Sequence, residues 1–334
     1  MTPPVDERMP GAQRLAALYA PVQAELDEME QGLQREFSSQ DPFVDRLARH
    51  GFRLGGKRLR PALVLLCAQA CGGIRPAHRV LAAALEMIHA ASLLHDDVLD
   101  EATVRRHLAT LNARWDNEAS ILLGDYLLAR AIEMVGMLDS PFASRAIGIA
   151  SRTVCEGELR QVQWRGHFDL SEQDYIRIIA DKTAALTSCC CQLGAHYADA
   201  DADTSARLAR YGQYLGIAFQ ITDDLLDLLG DEATVGKSLG TDLAKQKPTL
   251  PLIRLLCSTT GQQREEILDI LRRSDNHRLE ALRPWLRDSD AISYAHDTAV
   301  RYSRQAAQEL ACLGPGPARE ALIGLTEFVV QRQQ

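Results

Sequence analysis

The sequence predicts an all-α fold, and its composition and the spacing of its apolar residues carry that prediction. Ala, Leu, Glu, Arg and Gln dominate the 334 residues, and all five are strong helix formers. Apolar residues recur every three or four positions, as they do between Val80 and Leu94, which is the period of one helix face. Runs of strict apolar–polar alternation, which would indicate strands, are nearly absent. We therefore expect a single all-α domain over residues 1–334.

The helical stretches can be placed in order along the chain because helix-breaking residues separate them. Glycine and proline stand at the ends of the periodic stretches, and Ser171 with Asp174 has the pattern of an N-terminal helix cap. The stretch 178–193 is apolar over most of its circumference, so we expect it in the centre of the protein or at a subunit interface. The predicted helical stretches are 12–36, 57–71, 80–94, 118–138, 142–163, 172–198, 203–229, 262–273 and 290–332.

Charge and cysteine usage argue against several classes of protein. The 37 basic and 45 acidic side chains give a net charge of −8, which disfavours a nucleic-acid partner. The longest apolar run, residues 61–72, is too short to span a bilayer, and the N-terminus lacks the basic and apolar regions of a secretory signal. The eight cysteines include three in a row and no paired Cys-x-x-Cys units. We expect a cytoplasmic, reducing location and no transmembrane segment.

Two clusters of carboxylates follow apolar helical stretches. Each has the pattern Asp-Asp-x-x-Asp, in which the first and last carboxylates lie on one helix face, one turn apart. Carboxylates this close repel one another unless a cation lies between them. Oxygen-only ligands suit Mg²⁺ completed by water and substrate phosphate, so a diphosphate is the natural anion for a gap between two such helices. The clusters are Asp96, Asp97 and Asp100, and Asp223, Asp224 and Asp227.

Basic side chains stand beside these clusters and at a glycine turn. A glycine pair precedes Lys57 and Arg60, which can share one face at a helix start, an arrangement that suits phosphate. His89 lies seven residues, about two helical turns, before Asp96 and on the same face. The other basic and polar candidates are Arg105, Arg106, Lys182, Thr183, Gln220, Lys237 and Lys247.

Taken together and in this order, these residues resemble the trans-type isoprenyl diphosphate synthases of the polyprenyl synthetase family. The resemblance is strong over about residues 45–255 and weaker in the C-terminal helices. It implies an all-α bundle around a deep central cavity, of the isoprenoid synthase type, most like the long-chain members with octaprenyl or heptaprenyl products. The segments that carry it are Gly55-Gly56-Lys57-Arg58-Leu59-Arg60-Pro61, Leu94-His95-Asp96-Asp97-Val98-Leu99-Asp100 with Arg105-Arg106, Leu123-Gly124-Asp125-Tyr126, Lys182-Thr183-Ala184, and Phe219-Gln220-Ile221-Thr222-Asp223-Asp224-Leu225-Leu226-Asp227 with Gly236-Lys237.

The resemblance implies a reaction and a role for each of these residues. The reaction is a Mg²⁺-dependent, head-to-tail condensation of isopentenyl diphosphate with an allylic diphosphate to a trans-polyprenyl diphosphate, by a homodimer with three Mg²⁺ ions in each substrate-bound site. The implied metal ligands are Asp96, Asp97, Asp100, Asp223, Asp224 and Asp227. The implied catalytic residues are Asp96, Asp97, Asp100, Lys182, Asp223 and Asp224. The implied ligands of the allylic diphosphate are Arg105, Lys182, Thr183, Gln220, Lys237 and Lys247. Those of isopentenyl diphosphate are Lys57, Arg60, His89 and Arg106.

Two features of the sequence qualify what the resemblance implies. His107 follows the arginine pair where the family often has Gly, so we expect a change in the local turn and in the direction of Arg106. In the family, bulky aromatic residues four and five positions before the first Asp accompany short products, whereas Ser92 and Ala91 are small here. The growing chain is expected to extend down this helix below Asp96, and small residues leave the apolar tunnel open at positions 91 and 92. We therefore expect a product longer than farnesyl, of the kind used for quinone side chains. Residues 87 and 88, Met and Ile, lie deeper and can still block the path.

Three other functions would share part of this pattern. A farnesyl or geranylgeranyl diphosphate synthase of the same family would keep all of these motifs. A non-catalytic regulatory subunit is expected to have a broken Asp cluster, and both clusters are intact. A terpene cyclase is expected to replace the second cluster with an Asn/Asp-Ser/Thr-Glu type motif, and it does not require the Gly-Gly-Lys-Arg turn.

Overall fold

The computed structural model describes residues 11–54, 56–229, 240–273 and 277–331. Helices form almost all of this part of the chain, which confirms the all-α prediction. No helix in these ranges is long and apolar enough to cross a bilayer. The helices are α1 (Gly11–Tyr19), α2 (Gln23–Glu36), α3 (Pro42–Arg53), α4 (Leu59–Ala70), α5 (Pro76–Leu99), α6 (Leu111–Arg114), α7 (Asn117–Gly136), α8 (Pro141–Gln163), α9 (Glu172–Ile179), α10 (Ala185–His196), α11 (Ala202–Leu229), α12 (Thr241–Ala244), α13 (Leu250–Ser258), α14 (Gly261–Arg272), α15 (Arg278–Arg287), α16 (Ala291–Glu309) and α17 (Pro317–Val330), with two strands, β1 (Val104–Arg105) and β2 (Leu108–Ala109).

The core of the bundle lies around α5, α10 and α11. Helix α10 packs against α4, α8 and α11, and the cysteines at 189, 190 and 191 are at most 5% exposed. The stretch predicted to be apolar all round is therefore central. A Cβ on Gly194 of α10 would lie 2.4 Å from the Val64 carbonyl oxygen, and one on Gly212 of α11 would lie 2.5 Å from that of Thr187. These two glycines let the helices approach closely, which sets the position of the acidic cluster at the end of α11.

Several features lie outside the sequence prediction. The stretch 172–198 is interrupted by a π-helical turn at Ala180–Ala184, and the stretch 12–36 is broken by a 3₁₀ turn at Ala20–Val22 that contains a proline. A second 3₁₀ turn, Leu310–Cys312, and the Gly-Pro pairs after it separate α16 from α17. The helices α3, α6, α12, α13 and α15 were not predicted; α6 and α12 have four residues each, too few to show an apolar period.

Short polar side chains begin several of the helices. The Ser171 hydroxyl accepts from the Asp174 N–H at 3.1 Å and donates to its carboxylate at 2.6 Å, which confirms the cap predicted for α9. Asp41, Asp116 and Ser140 cap α3, α7 and α8 in the same way, with their side-chain oxygens accepting backbone N–H groups. These caps fix where the long helices start.

A two-stranded hairpin follows the first acidic cluster. Strand β1 pairs antiparallel with β2, with Val104 opposite Ala109 and Arg105 opposite Leu108. Arg106 and His107 form its two-residue turn, with φ angles of 51° and 63°. Two successive left-handed residues are the geometry of a type I′ turn, which favours Asn and Gly. The turn is therefore formed despite the departure at His107, at a cost in backbone strain.

His107→Gly is expected to stabilise the protein by about 0.5–1 kcal/mol, because a Cβ is unfavourable at this left-handed position and the gain exceeds the extra entropy of Gly in the unfolded chain. His107 is exposed, so little packing is lost. The midpoint of urea unfolding measures the change, and His107→Ala, which keeps a Cβ, is the control. A lower midpoint for His107→Gly than for wild type would mean that the imidazole itself stabilises the hairpin.

Candidate active site

The first acidic cluster ends α5. Asp100 caps the helix, and its N–H donates to the Asp96 carbonyl at 2.8 Å. Asp97 is buried, and Arg105 donates to its Oδ1 from Nε at 2.9 Å and from Nη2 at 2.8 Å. The other oxygen, Oδ2, is buried and has no hydrogen-bond partner among the described residues. Burial raises the pKa of Asp96 and of Asp97, and the charges of Lys182 and Arg105 respectively oppose that rise.

Three cations converge on Asp100. Lys245 Nζ lies 3.1 Å and Lys247 Nζ 3.6 Å from its Oδ2, and Arg165 Nη2 lies 3.4 Å from its Oδ1. Burial disfavours the charged form of Asp100, but the two lysines outweigh burial and lower the pKa of this carboxyl. Lys247 also lies 3.3 Å from Asp242. Asp100 is thus an ionised carboxylate in a positively charged environment.

The second acidic cluster, at the end of α11, is joined to the first through α12. Asp227 is buried, and its carboxylate accepts from the Thr241 hydroxyl at 2.8 Å and from the Asp242 N–H at 3.0 Å. Asp242 in turn contacts Lys247, which reaches Asp100. A short chain of polar contacts therefore connects the two clusters.

Asp224 is the centre of a hydrogen-bond chain behind the second cluster. Tyr175 donates to its Oδ2 at 2.6 Å, and Gln220 Nε2 donates to its Oδ1 at 2.8 Å. The Thr183 hydroxyl donates to Gln220 Oε1 at 2.8 Å. Burial, together with the charge of Asp242, raises the pKa of Asp224 to about 8. The chain holds Gln220 and Thr183, two predicted ligands of the allylic diphosphate, in a fixed relation.

Lys182 and Thr183 lie on the π-helical turn between α9 and α10. Such a turn adds one residue to the helix, and it occurs frequently at functional sites. Lys182 forms an ion pair with Glu158 of α8. The backbone of the turn lies against Gly157 of the same helix, where a Cβ would be 2.5 Å from the Lys182 nitrogen. Gly157 is therefore what allows α8 to support the turn.

Gly157→Ala is expected to lower kcat/KM about 100-fold, because the added methyl must displace the backbone that positions Lys182 and a misplacement of about 1 Å costs that much. Gly148→Ala is the matched control on the same helix, since nothing lies within 4 Å of its Cβ position. That control should keep activity and gain up to about 1 kcal/mol of stability. Steady-state kinetics of both variants measure the effect, and wild-type kinetics for Gly157→Ala would contradict it.

A cleft of about 350 Å³ lies between the glycine turn before α4 and the C-terminal half of α5. The Arg106 guanidinium lies on Gly56, where a Cβ would be 2.2 Å from Nη2, and Nη1 donates to the Leu54 carbonyl at 2.7 Å. Burial lowers the pKa of His89 well below its usual range, and the charges of Arg60 and Arg106 add to this effect, so its imidazole is neutral at pH 7. The charged and polar side chains that line the cleft are Arg58, Glu86, His89, Asp97 and Arg105.

The N-terminal helices hold the Gly-Lys-Arg turn in place. Tyr19 of α1 donates its hydroxyl to the Lys57 carbonyl at 3.0 Å. Glu30 of α2 accepts from Nε and Nη2 of Arg58, both at 2.7 Å, and Nη1 donates to the buried Glu86 of α5 at 2.8 Å. No sequence pattern pointed to these four contacts, because the partners are 28 to 38 residues apart in the chain.

A larger cleft, of about 500 Å³, opens between α8, α9, α11 and the segment before α13. Three predicted ligands of the allylic diphosphate, Lys182, Gln220 and Lys247, lie on its wall with Asp224. Apolar side chains form the rest of the lining, among them Trp164, Leu170, Ile178 and Ile179. The cleft thus presents both cationic and apolar surface.

The structure brings part of the predicted site together. The larger cleft gathers Lys182, Gln220, Asp224 and Lys247, and the smaller one gathers His89, Asp97 and Arg105. Lys57, Arg60 and Arg106 lie at or near the glycine turn and do not line either cleft, and Lys237 lies outside the described residues. Within the described ranges, no group of three or more His, Cys, Asp or Glu side chains is positioned to hold a metal ion.

The whole chain is similar to several known proteins. An all-trans-nonaprenyl-diphosphate synthase (geranyl-diphosphate specific) of Rhodobacter capsulatus is 36% identical over 318 residues, 95% of this chain and 98% of the relative. The octaprenyl diphosphate synthase of Escherichia coli is 36% identical over 300 residues, 90% of this chain and 93% of the relative. A crystal structure of polyprenyl synthase from Caulobacter crescentus, complexed with calcium and isoprenyl diphosphate, superposes with a TM-score of 0.91 at 34% identity, over 96% of this chain and 98% of that one.

The family profile described as Polyprenyl synthetase matches residues 41–285, which include α3 to α14 and most of α15. Both acidic clusters, the π-helical turn and the Gly-Lys-Arg turn fall inside this range. Helices α1 and α2, which contact the Gly-Lys-Arg turn, precede the matched range. With two clefts, two acidic clusters and relatives matched over nearly their whole length, the chain belongs to the polyprenyl synthetase family.

Proposed function

We propose that this chain condenses isopentenyl diphosphate with an allylic diphosphate to make a trans-polyprenyl diphosphate. The observation that carries the proposal is a pair of clefts, the smaller lined by Asp97 of the first acidic cluster and the larger by Asp224 of the second, and both lined by cationic side chains. A reaction between two diphosphates needs two anion sites that bring the reacting carbons together. We assign the larger cleft, with its apolar wall, to the allylic substrate. The smaller cleft, with Lys57, Arg60, His89 and Arg106 in and around it, is assigned to isopentenyl diphosphate.

The donor set fits Mg²⁺. Both clusters offer only carboxylate oxygens, the ligands this ion prefers, and Oδ2 of Asp97 is buried without a hydrogen-bond partner among the described residues. When bound, Mg²⁺ would neutralise the allylic diphosphate and stabilise the negative charge that it gains on leaving, and we propose three ions in each substrate-bound site. The proposed metal ligands are Asp96, Asp97, Asp100 and Asp223.

Asp224 and Asp227 were predicted as metal ligands too, but their contacts support another role. Both oxygens of each carboxylate already accept hydrogen bonds, from Tyr175 and Gln220 for Asp224 and from the start of α12 for Asp227. We propose that these two residues position Gln220 and α12, and that they do not bind metal directly.

The cations of the larger cleft would drive the first step. The allylic C–O bond breaks with its electron pair leaving on diphosphate, and Lys182 and Lys247 stabilise the charge that develops there. Arg105, predicted as a further ligand of this diphosphate, lines the smaller cleft instead. The double bond of isopentenyl diphosphate then attacks the allylic cation. A proton lost from the new carbon skeleton restores a double bond, and the released diphosphate is the proposed base. The apolar wall excludes water, which would otherwise capture the cation.

Small residues below Asp96 support a long-chain product. Ala91 is 3% exposed and Ser92 is half-buried, so neither presents a bulky side chain at that level of α5. The two relatives compared above carry the names nonaprenyl and octaprenyl diphosphate synthase. We propose a product longer than 20 carbons, of the kind used for quinone side chains. Farnesyl or geranylgeranyl diphosphate synthesis is the alternative within the same chemistry.

We further propose a cytoplasmic homodimer in which the chain acts as one domain. The eight cysteines are all free thiols, as expected in a reducing compartment. Large apolar side chains stand exposed on two neighbouring helices, α7 and α8, which favours a partner surface there. They are Ile121, Leu122, Ile132, Ile149, Leu159 and Val162.

A product assay tests the proposed function. The purified chain is incubated with Mg²⁺, isopentenyl diphosphate and, in turn, allylic diphosphates of 5, 10, 15 and 20 carbons, and the product length is read by mass spectrometry. We expect products beyond 20 carbons. Products that stop at 15 or 20 carbons would support the condensation reaction but indicate that Met87 or Ile88 blocks the tunnel for the growing chain. Folded protein that condenses no primer would overturn the proposal in favour of a non-catalytic subunit.

A further inference from the structure

Two cations from separate parts of the chain, Arg165 and Lys245, meet at Asp100. Arg165 is the second residue after the end of α8, and Lys245 caps the end of α12. Their side chains are 27% and 25% exposed, so both are held largely within the protein. Neither belongs to the segments that carry the family resemblance.

A backbone contact fixes these two segments relative to one another. The N–H of Gly166 donates to the Gln246 carbonyl at 2.9 Å. Both residues are left-handed, with φ angles of 77° and 53°, and a Cβ on Gly166 would lie 3.0 Å from Gln246 Oε1. Gln246 has a Cβ, so its conformation is unfavourable and is held by the surrounding structure. The positions of Arg165 and Lys245 therefore depend on the backbone, not only on their contact with Asp100.

The positive charge around Asp100 exceeds what this carboxylate balances. Arg165, Lys245 and Lys247 all face it, and Lys247 also contacts a second carboxylate, that of Asp242. The Arg165 contact is long, at 3.4 Å, and its Nε is buried with no acceptor among the described residues. Such a group of cations gains stability when an anion with several acceptor oxygens binds.

We propose that Arg165 and Lys245 are two further ligands of the allylic diphosphate, in addition to Lys182 and Lys247. The inference rests on the function proposed above. A diphosphate offers more acceptor oxygens than Asp100 does, so it draws both side chains away from this carboxylate. Asp100 is then released to bind metal, and the cations move from the free carboxylate to the leaving group that needs them. Arg165 contributes a planar fork of donors, and Lys245 contributes a point charge.

Binding of inorganic pyrophosphate tests the inference without turnover. Calorimetry on the full chain with Mg²⁺ gives its Kd for wild type, Arg165→Gln and Lys245→Gln, and Arg152→Gln is the control. Arg152 also belongs to α8, but its side chain is 65% exposed and pairs with Glu156. We expect each test variant to bind pyrophosphate about 10-fold more weakly, the low end for loss of one hydrogen bond to a charged group. KM for the allylic substrate should rise by the same factor, KM for isopentenyl diphosphate should change less than about 2-fold, and Arg152→Gln should match wild type.

The possible outcomes separate this inference from the proposed function. Wild type that neither binds pyrophosphate nor condenses substrates overturns the proposed function. Active wild type whose two variants bind pyrophosphate normally overturns the inference alone. A fall in kcat with unchanged pyrophosphate affinity also overturns it, because the two cations would then only hold Asp100. Thermal unfolding verifies each fold, and Arg165→Lys, which keeps the charge but loses the fork, replaces Arg165→Gln if that variant does not fold. It should restore only part of the affinity.

Discussion

Asp96→Asn is expected to lower kcat/KM about 10³-fold without loss of stability. Asp96 is a proposed metal ligand in the last turn of α5, and removal of one group that stabilises developing charge costs about 10²- to 10³-fold. Burial raises the pKa of Asp96, which means that the surrounding protein disfavours its charged form. Asparagine keeps the shape and removes the charge, so the fold should be at least as stable at pH 7. Steady-state kinetics and thermal unfolding measure the two effects separately.

Asp97→Asn is the matched comparison, since it alters the neighbouring carboxylate of the same helix. Asp97 is buried and accepts two hydrogen bonds from Arg105. Burial raises the pKa of Asp97 as it does that of Asp96, but asparagine here also removes the charge that the two Arg105 N–H groups donate to, so we expect a stability loss of about 2 kcal/mol together with lower activity. If Asp96→Asn instead lost stability while keeping kcat/KM, Asp96 would be a structural carboxylate and the proposed metal site would be wrong.

The fold was predictable from the sequence where the helices are long and their apolar positions periodic. Helices α7, α8 and α11 begin and end within two residues of the predicted stretches. The π-helical turn was not predictable, because one extra residue changes neither the composition nor the apolar pattern of 172–198. The hairpin around Arg106 and His107 was also missed, since strands of two residues are too short to show an alternating pattern.

The candidate site was predictable only where its residues form local motifs. The Asp-Asp-x-x-Asp spacing places Asp96 and Asp100 one turn apart by helix geometry alone. The contacts of Asp100 with Arg165 and Lys245 depend on two loops that meet through Gly166 and Gln246, and no local pattern encodes that meeting. The clamp from Glu30 to Arg58 is likewise a contact between distant parts of the chain. Local spacing thus predicts which side chains take part in the site. Contacts between distant parts of the chain determine the positions and the charge states of those side chains.

Ser92→Phe is expected to shorten the product from more than 20 carbons to 15 or 20. Ser92 lies four residues, or about 6 Å of helix, before Asp96 and on the same face, so an aromatic ring there should close the path below the acidic cluster. Among the described residues its hydroxyl donates only to the His89 carbonyl of its own helix, at 2.8 Å, and the residue is half-buried, so the substitution should cost little stability. Ala91→Phe should shorten the product as well, but Ala91 is 3% exposed in the core, and overpacking should cost about 1–3 kcal/mol.

Ala90→Phe provides the control for the position of the growing chain. Ala90 lies on the same turns of α5 but lines the smaller cleft, beside His89. An aromatic ring there should raise KM for isopentenyl diphosphate and leave the product length unchanged. Mass spectrometry of the products from all three variants distinguishes the two faces of the helix. Normal turnover with an unchanged long product in Ser92→Phe would mean that the tail does not follow α5. Shortening in Ala90→Phe would mean that the tail extends into the smaller cleft, and the assignment of the two clefts to the two substrates would then have to be exchanged.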